Sequence, residues 1–434
     1  MTSSTNTRII PLWRQRRYLL WLGSDTGSAL GMSLQWFAVP LVALIVTNSP
    51  TQAGLITAIG QLGRVVCTMP GGILADSKDR RTLMILGGLL GAVGGVGLMI
   101  TSLGGHLGFW SLLILHLLMS VRNGLFGSAS DAALKDIVPE SQLPGALAAN
   151  QGRDAVISLA GGPLGGLLLS VSQAVTFGAL ALAHVVAATC AKSLPATAPL
   201  SLPAPDRRSS GKSKNGPLGA LKESLAEGLS GLTWLLRRRD LRGVLMISTL
   251  LNLGINASIT SVIFGLQQRG ESAGIIGVVS ASLGVGMLLG SLPAAALLKW
   301  LPTGVAVCVG LLFTAGAMSL MPFTTSVPWI CALFGISIIG APTINAGLGG
   351  YLMTAIPSAL LGRATSASAL LSMAAVPLAP LIAGFGYTAW GWSGLLLFCA
   401  GICVFATILA IANWPLRTLP QQQEWSRHAA NFDV

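Results

Sequence analysis

Gly71-Gly72-Ile73-Leu74-Ala75-Asp76-Ser77-Lys78-Asp79-Arg80-Arg81 is a charged turn in a chain that has few charges. It holds two acids and three bases between apolar runs at 52–74 and 82–102. Such a turn must lie in water or be paired, because an isolated charge in apolar surroundings is costly. The runs beside it have no such need. The turn therefore marks a place where the chain leaves an apolar medium and re-enters it.

Composition says what that medium is. The 434 residues are 52% hydrophobic and 9% charged, with a mean hydropathy of +0.72. A soluble domain carries about 25% charged residues, so this chain has too little polar surface to cover a globule. Beta-barrels alternate apolar and polar residues over segments of about ten. Here the runs are continuous and about twice that long, which matches helices crossing a hydrocarbon core of about 30 Å. The expected class is an all-α polytopic membrane protein.

Twelve runs can be marked, at 18–47, 52–74, 82–102, 109–130, 147–169, 173–194, 241–266, 273–298, 303–322, 328–350, 365–386 and 391–413. Assigning loops alternately to the two sides gathers nearly all Lys and Arg on one side. By the positive-inside rule both termini and the opening turn are cytoplasmic. The net charge of +12 is explained by those loops, so no nucleic-acid partner is implied. The six Cys all fall inside apolar runs with no metal-ligand spacing, and they read as packing residues. His106, His116, His184 and His428 are scattered, with no nucleophile–base pairing, so an enzyme is not expected. Gly91-x-x-x-Gly95 in the third run lacks the Lys-Ser/Thr of a phosphate loop and reads as a helix-packing face.

Residues 195–240 separate two sets of six runs. Pro195 to Pro217 reads as a flexible linker. Leu221, Leu225, Leu229, Leu232 and Leu236 then form a helical stripe ending in Arg237-Arg238-Arg239. The expectation is a helix on the inner membrane surface with its basic end near anionic lipid. Three parts follow: 1–194, a six-helix bundle; 195–240, the linker; and 241–434, a second bundle and tail. The two sets repeat. Pro139, Leu143 and Ala146 match Pro357, Leu361 and Ala364 at a shift of 218, which also carries Gly72 to Gly290 and Asp76 to Ala294.

Two repeated halves of six helices, with the motif Gly72-x-Leu74-Ala75-Asp76 and Arg80-Arg81 after helix two, resemble the major facilitator superfamily. The sequence departs from that pattern at Ser77, where a base is usual, and at Asp79, where Gly is usual. Pro357 with Leu361-Gly362-Arg363 resembles the branch of siderophore exporters and macrolide-efflux proteins. Gly162-Pro163 and Gly166 in helix five partly match the signature of proton-driven drug antiporters. The same residues also suit close helix packing. The resemblance implies a proton-coupled exporter of a drug-like or secondary-metabolite compound in a bacterial inner membrane. It implies a monomer with a small-molecule substrate, protons and lipid as partners, and no cofactor or metal. An uptake symporter for a small organic solute, or a non-transporting lipid-binding or assembly subunit, are the alternatives.

Ionisable residues within spanning helices are costly and mark functional sites. Asp25 in helix one, Arg64 in helix two, Arg122 in helix four, and Arg153 and Asp154 in helix five lie at similar depths. Asp25 is expected to titrate with Arg122 as partner, supported by Arg64 and Asp154; alternatively Asp25 and Arg64 form a fixed structural pair. At the turn, Asp76 is expected to accept hydrogen bonds from the start of helix eleven near Gly362 and Arg363, and Arg80 to pair with Asp131. Together with Gly72 and Arg81 these would latch the halves shut on the cytoplasmic side. Gln35, Trp36, Asn252, Asn256, Thr343 and Asn345 are candidates for lining a neutral, partly apolar substrate cavity.

Overall fold

The computed structural model describes residues 11–195, 232–357 and 360–432, which contain helices and no strand. Six helices make the first bundle: Arg16–Thr47, Pro50–Ser77, Arg80–Leu103, Phe109–Ile137, Leu143–Val171 and Gln173–Lys192, numbered one to six. Helices seven to nine are Arg239–Gln268, Ala273–Trp300 and Thr303–Leu320. Helix ten is two pieces, Val327–Ile339 and Ala341–Ala355, interrupted at Gly340. Helix eleven begins as Leu361–Ala375 and resumes in Leu378–Ala412 after Pro377, which has no N–H to continue the ladder. Leu378–Ala412 itself holds two passes, because Gly391 takes φ 64° and ψ −166° and turns the chain back as helix twelve. Glycine alone adopts that backbone without strain.

Among the described residues, ten stretches are long and apolar enough to cross a membrane by length and composition alone. Helix two is not one of them, since Gln61 and Arg64 interrupt its middle, yet its 28 residues extend about 42 Å. Helices eleven and twelve form a single stretch through the Gly391 turn. The result is the twelve-pass arrangement of two six-helix bundles. The start of helix one and the end of helix twelve lie on one face, called here the terminal face; the opposite one is the far face.

Local signals set the ends. Ser49, Ser172 and Ser272 accept from backbone N–H groups at the starts of helices two, six and eight. Asp79 does the same for helix three: its carboxylate accepts from Thr82 N at 2.9 Å and Thr82 Oγ1 at 2.6 Å. That accounts for an acid where the family pattern has Gly. Within the first bundle, Gly88 and Gly95 lie against Ala188 and Ala181 of helix six, so the glycine face of helix three is a packing face.

The two halves meet chiefly near the far face, in a contact made twice. Helix two meets helix eleven where Gly54 abuts Pro380 and Gly384, and Thr51 Oγ1 lies 2.9 Å from Thr388 Oγ1. Helix five meets helix eight, where a Cβ on Gly277 would lie 2.7 Å from the Gly162 carbonyl oxygen. Gly162 and Gly166 of the Gly-Pro segment thus serve close packing, and helix five runs unbroken through Pro163. At the other end of helix two, Gly72 has open space where a Cβ would stand. The molecule is closed at the far face.

The linker reading needs a correction at its end. Most of the expected surface helix lies outside the described residues; residues 232–237 are helical. There Leu235 is buried in the core of the second bundle, and Arg238 does not face lipid. Its guanidinium pairs with Asp240 at 2.9 Å and donates to the carbonyls of Ala355 and Ala429 at 3.1 Å. Tyr351 donates its hydroxyl to Asp240 at 2.8 Å, and Trp425 of the tail donates to Thr303 at 3.0 Å. The tail helix Trp425–Ala430 is thereby bound under the second bundle. An acid two residues after Arg238 supplies the buried partner that a lipid headgroup was expected to supply.

Candidate functional site

Beneath the Arg80–Asp136 pair at its mouth, the first bundle holds three ionic or polar groupings among the described residues. The one nearest the terminal face joins helices one and five. Arg153 donates through Nη2 to Asp25 and, at 2.6 Å, to Asp154. Its guanidinium also lies 6.0 Å from the ring centre of Trp21, whose own N–H donates to the Ser130 carbonyl at 2.9 Å. Asp25, Asp131, Arg153 and Asp154 all line a cavity of about 860 Å³, measured out to its open mouth. Asp25 sits about 13 Å along helix one from its terminal-face end, at 1.5 Å per residue.

The second grouping lies deeper and is threaded through four helices. Arg122 is 6% exposed, donates to the Gly87 carbonyl at 2.8 Å and to Asn123 Oδ1, and lies 3.2 Å from His184 Nδ1. Asn123 donates to Gln35 Oε1 at 3.2 Å. Gln35 in turn reaches His116 Nδ1 at 3.2 Å and Ser120 at 3.5 Å. Glycine makes the room: a side chain on Gly91 would strike Arg122 and His184, and one on Gly60 would strike His116. The third grouping is Arg64, whose guanidinium lies 5.0 Å over the Trp36 ring.

These contacts revise two expected pairings. Asp25 takes Arg153, not Arg122 or Arg64. Arg122 is about 22 Å from the terminal-face end of helix four by the same rise, well above Asp25. Its Nη atoms are held by its own network, while its Nε is buried without a hydrogen bond. Arg80 takes Asp136 at 2.7 Å, not Asp131. Helix four runs on to Ile137, past the expected end at 130, so Asp136 and not Asp131 reaches the mouth of the bundle. Arg81 donates to the Lys192 carbonyl at 2.6 Å. Both arginines therefore brace helix three against helices four and six of their own half. Asp76 is exposed and accepts no hydrogen bond among the described residues. The side chains of Gly362 and Arg363 lie outside the described residues.

The six cavity candidates divide. Gln35 and Trp36 line one polar cleft. Asn345 is exposed, while Thr343 is buried inside the second bundle. Asn252 and Asn256 donate to carbonyls of their own helix, Ser248 and Asn252, at 3.0 and 2.7 Å. His116 and His184 are the residues that sequence reasoning passed over. Their signal was present: each is an ionisable side chain in the middle of an apolar run, which deserves the weight given to an intramembrane Asp or Arg.

The family model described as the Major Facilitator Superfamily matches residues 26–373, and this chain belongs to that superfamily. Its matched relatives include the enterobactin exporter EntS of Escherichia coli O127:H6 (strain E2348/69 / EPEC), 27% identical over 348 residues, covering 77% of each chain. Among solved structures, it is similar to a bacterial homologue of the iron transporter ferroportin in an inward-facing state. The TM-score is 0.68 at 14% identity, covering 93% of this chain and 99% of that one. A D-xylose–proton symporter gives 0.66 at 16%, covering 93% and 98%. At such identities the structures speak for the fold. The chain is a multi-pass membrane transporter of the superfamily and not an enzyme.

Proposed function

We propose that this transporter exports a drug-like or siderophore-like metabolite in exchange for protons, by alternating access across a bacterial inner membrane. The terminal face is assigned to the cytoplasm, because the basic loops gather there. In that frame, with the far face closed and space beside Gly72, the molecule is open to the cytoplasm and placed to load a substrate there.

The observation that carries the reading is the Asp25–Arg153–Asp154 cluster on the wall of the large cavity. A carboxylate near a cation stays charged, and desolvation pulls the other way. Asp25 can therefore exchange Arg153 for a proton when the cavity changes sides. Losing the proton to the cytoplasm restores the ion pair seen here, and the emptied cavity can then take substrate. Asp76, Gly72 and the start of helix eleven would close against one another in the opposite state, where Asp76 finds backbone donors at a helix N-terminus. The export direction is supported by the name of the EntS relative.

The test is transport in proteoliposomes under an imposed pH gradient, with a fluorescent lipophilic substrate. Asp25→Asn is expected to abolish proton-driven flux while leaving substrate binding in place. Full proton-driven flux in that variant would reject the coupling role.

A further inference from the structure

Asp131 does not have the partner expected for it, since Arg80 is held by Asp136. It forms no ion pair or hydrogen bond among the described residues, and it is exposed on the wall of the cavity that Asp25, Arg153 and Asp154 also line. Those neighbours do not balance it. Arg153 carries one positive charge against the carboxylates of Asp25 and Asp154, so the cluster is negative before Asp131 is added. Lys135, one helical turn toward the terminal face, is exposed and makes no ion pair among the described residues. Arg122 also touches the cavity but stands about 13 Å further along helix four, at 1.5 Å per residue. Charges that far apart beside water attract only weakly. A carboxylate partly withdrawn from water needs a cation or a proton.

A second group says which. Asn150 of helix five lines the same cavity and is 8% exposed, and its Oδ1 is buried with no hydrogen-bond partner. By the helical rise Asn150 is about 10 Å from the terminal-face end of helix five, and Asp131 about 9 Å from that of helix four. The two acceptors therefore stand at one level. A proton on Asp131 would answer only one of them. An ammonium group, with a charge and several N–H donors, answers both. The cavity, about 860 Å³ out to its mouth, is far larger than a bare ion needs and falls in the range of organic ligand sites. Ala29, Met32 and Phe126 supply apolar wall, and an aromatic face also favours a cation.

We propose that this cavity is the substrate site for a protonated organic amine, with the ammonium on Asp131, one of its N–H groups on Asn150 Oδ1 and the apolar body against Met32 and Phe126. The assignment rests on the exporter reading for its place in a transport cycle. It narrows the substrate from any partly apolar compound to a cationic one. Asp25 and Arg153 keep the proton-exchanging role, and Asp131 holds the substrate.

The experiment is calorimetric binding at neutral pH to the purified full chain in nanodiscs of phosphatidylcholine, with empty nanodiscs subtracted. The probes are 4-phenylbutylamine, the neutral alcohol of the same length, and the quaternary trimethylammonium analogue, which keeps the charge without the N–H groups. The amine is expected to bind about tenfold or more tightly than the alcohol, since an ionic hydrogen bond is lost with the charge. The quaternary ion should fall between them. Asp131→Asn should make amine and alcohol equal, and Asp131→Glu should keep part of the preference. Asn150→Ala should bring the amine down to the quaternary ion. Equal binding of amine and alcohol by the unaltered protein, a comparison needing no variant, would overturn the proposal and leave Asp131 to a proton alone. So would displacement of the amine by sodium or magnesium chloride at equal concentration, which would assign the carboxylates to an inorganic cation. Proton-driven export of a neutral dye, with amine and alcohol bound alike, would sink the amine site alone. An amine preference without any export would sink the exporter reading and leave the site standing.

Discussion

The two bundles are related by an internal repeat, yet they put their buried charge to different ends. The first holds Asp25 and Arg153 on the wall of an open cavity, at 15% and 14% side-chain exposure. The second holds Asp240 and Arg238 at 1% and 2%, sealed beneath Tyr351 and the tail. An ion pair that can meet water can exchange a partner for a proton. An ion pair with no access can only hold things together. Where a charge sits relative to water, more than its residue type, separates a working group from a clamp.

Substitutions at the two pairs should therefore have opposite signatures. Asp240→Asn leaves Arg238 buried without a counter-ion, which costs about 3–5 kcal/mol. Thermal unfolding of the purified protein should show a large loss, and the tail should become open to protease. Asp25→Asn should lower the unfolding temperature far less while stopping proton-driven flux. Equal stability losses at both sites would erase the contrast drawn here.

The two ends of helix two offer a second contrast. Gly54 is in close contact with helix eleven, and Gly72 faces open space. Gly54→Leu forces the halves apart at the far face, and overpacking of this kind costs about 1–3 kcal/mol. That is enough to raise the far-open population about tenfold. A cysteine placed at Thr51, in a background without the six native cysteines, should then react faster with an impermeant maleimide applied from the far side. Gly72→Leu fits the present state and should slow that reaction. The same direction of change in both variants would break the contrast.

Smaller effects probe the turn and the tail. Asp79→Ala removes the cap on helix three and should cost about 1 kcal/mol, read as faster hydrogen exchange at Thr82 and Leu83. His428 packs on Tyr351 with its ring 6.0 Å away. Burial pushes its pKa below the usual 6.5, although Asp240 pulls it up. The folded tail thus favours the neutral ring. Its contribution is intact above pH 6.5 and is lost as the pH falls below that value. Tail proteolysis should increase modestly on going from pH 8 to pH 5, and His428→Gln should flatten the response.

The sequence alone determined the medium, the number of passes and the repeat, because these follow from the length of apolar runs and the periodicity of loops. It also placed intramembrane charge in the first half, since a charge in an apolar run is visible as such. The charged turn from Gly71 to Arg81 was legible as a terminus-side hinge between helices two and three. It was not legible that Asp79 would cap a helix or that Arg80 would pass over Asp131 for Asp136. Nor was it legible that Asp25 would take Arg153, that Arg122 would find His184, or that Arg64 would lie over Trp36. Pairing depends on the rotation and height of one helix against another, and a few residues of error in a helix end move a side chain by a full turn. The apolar pattern fixes which face is greasy but leaves that register to the packing of glycines such as Gly60, Gly91 and Gly277, and only the folded bundle shows where they bring two backbones together.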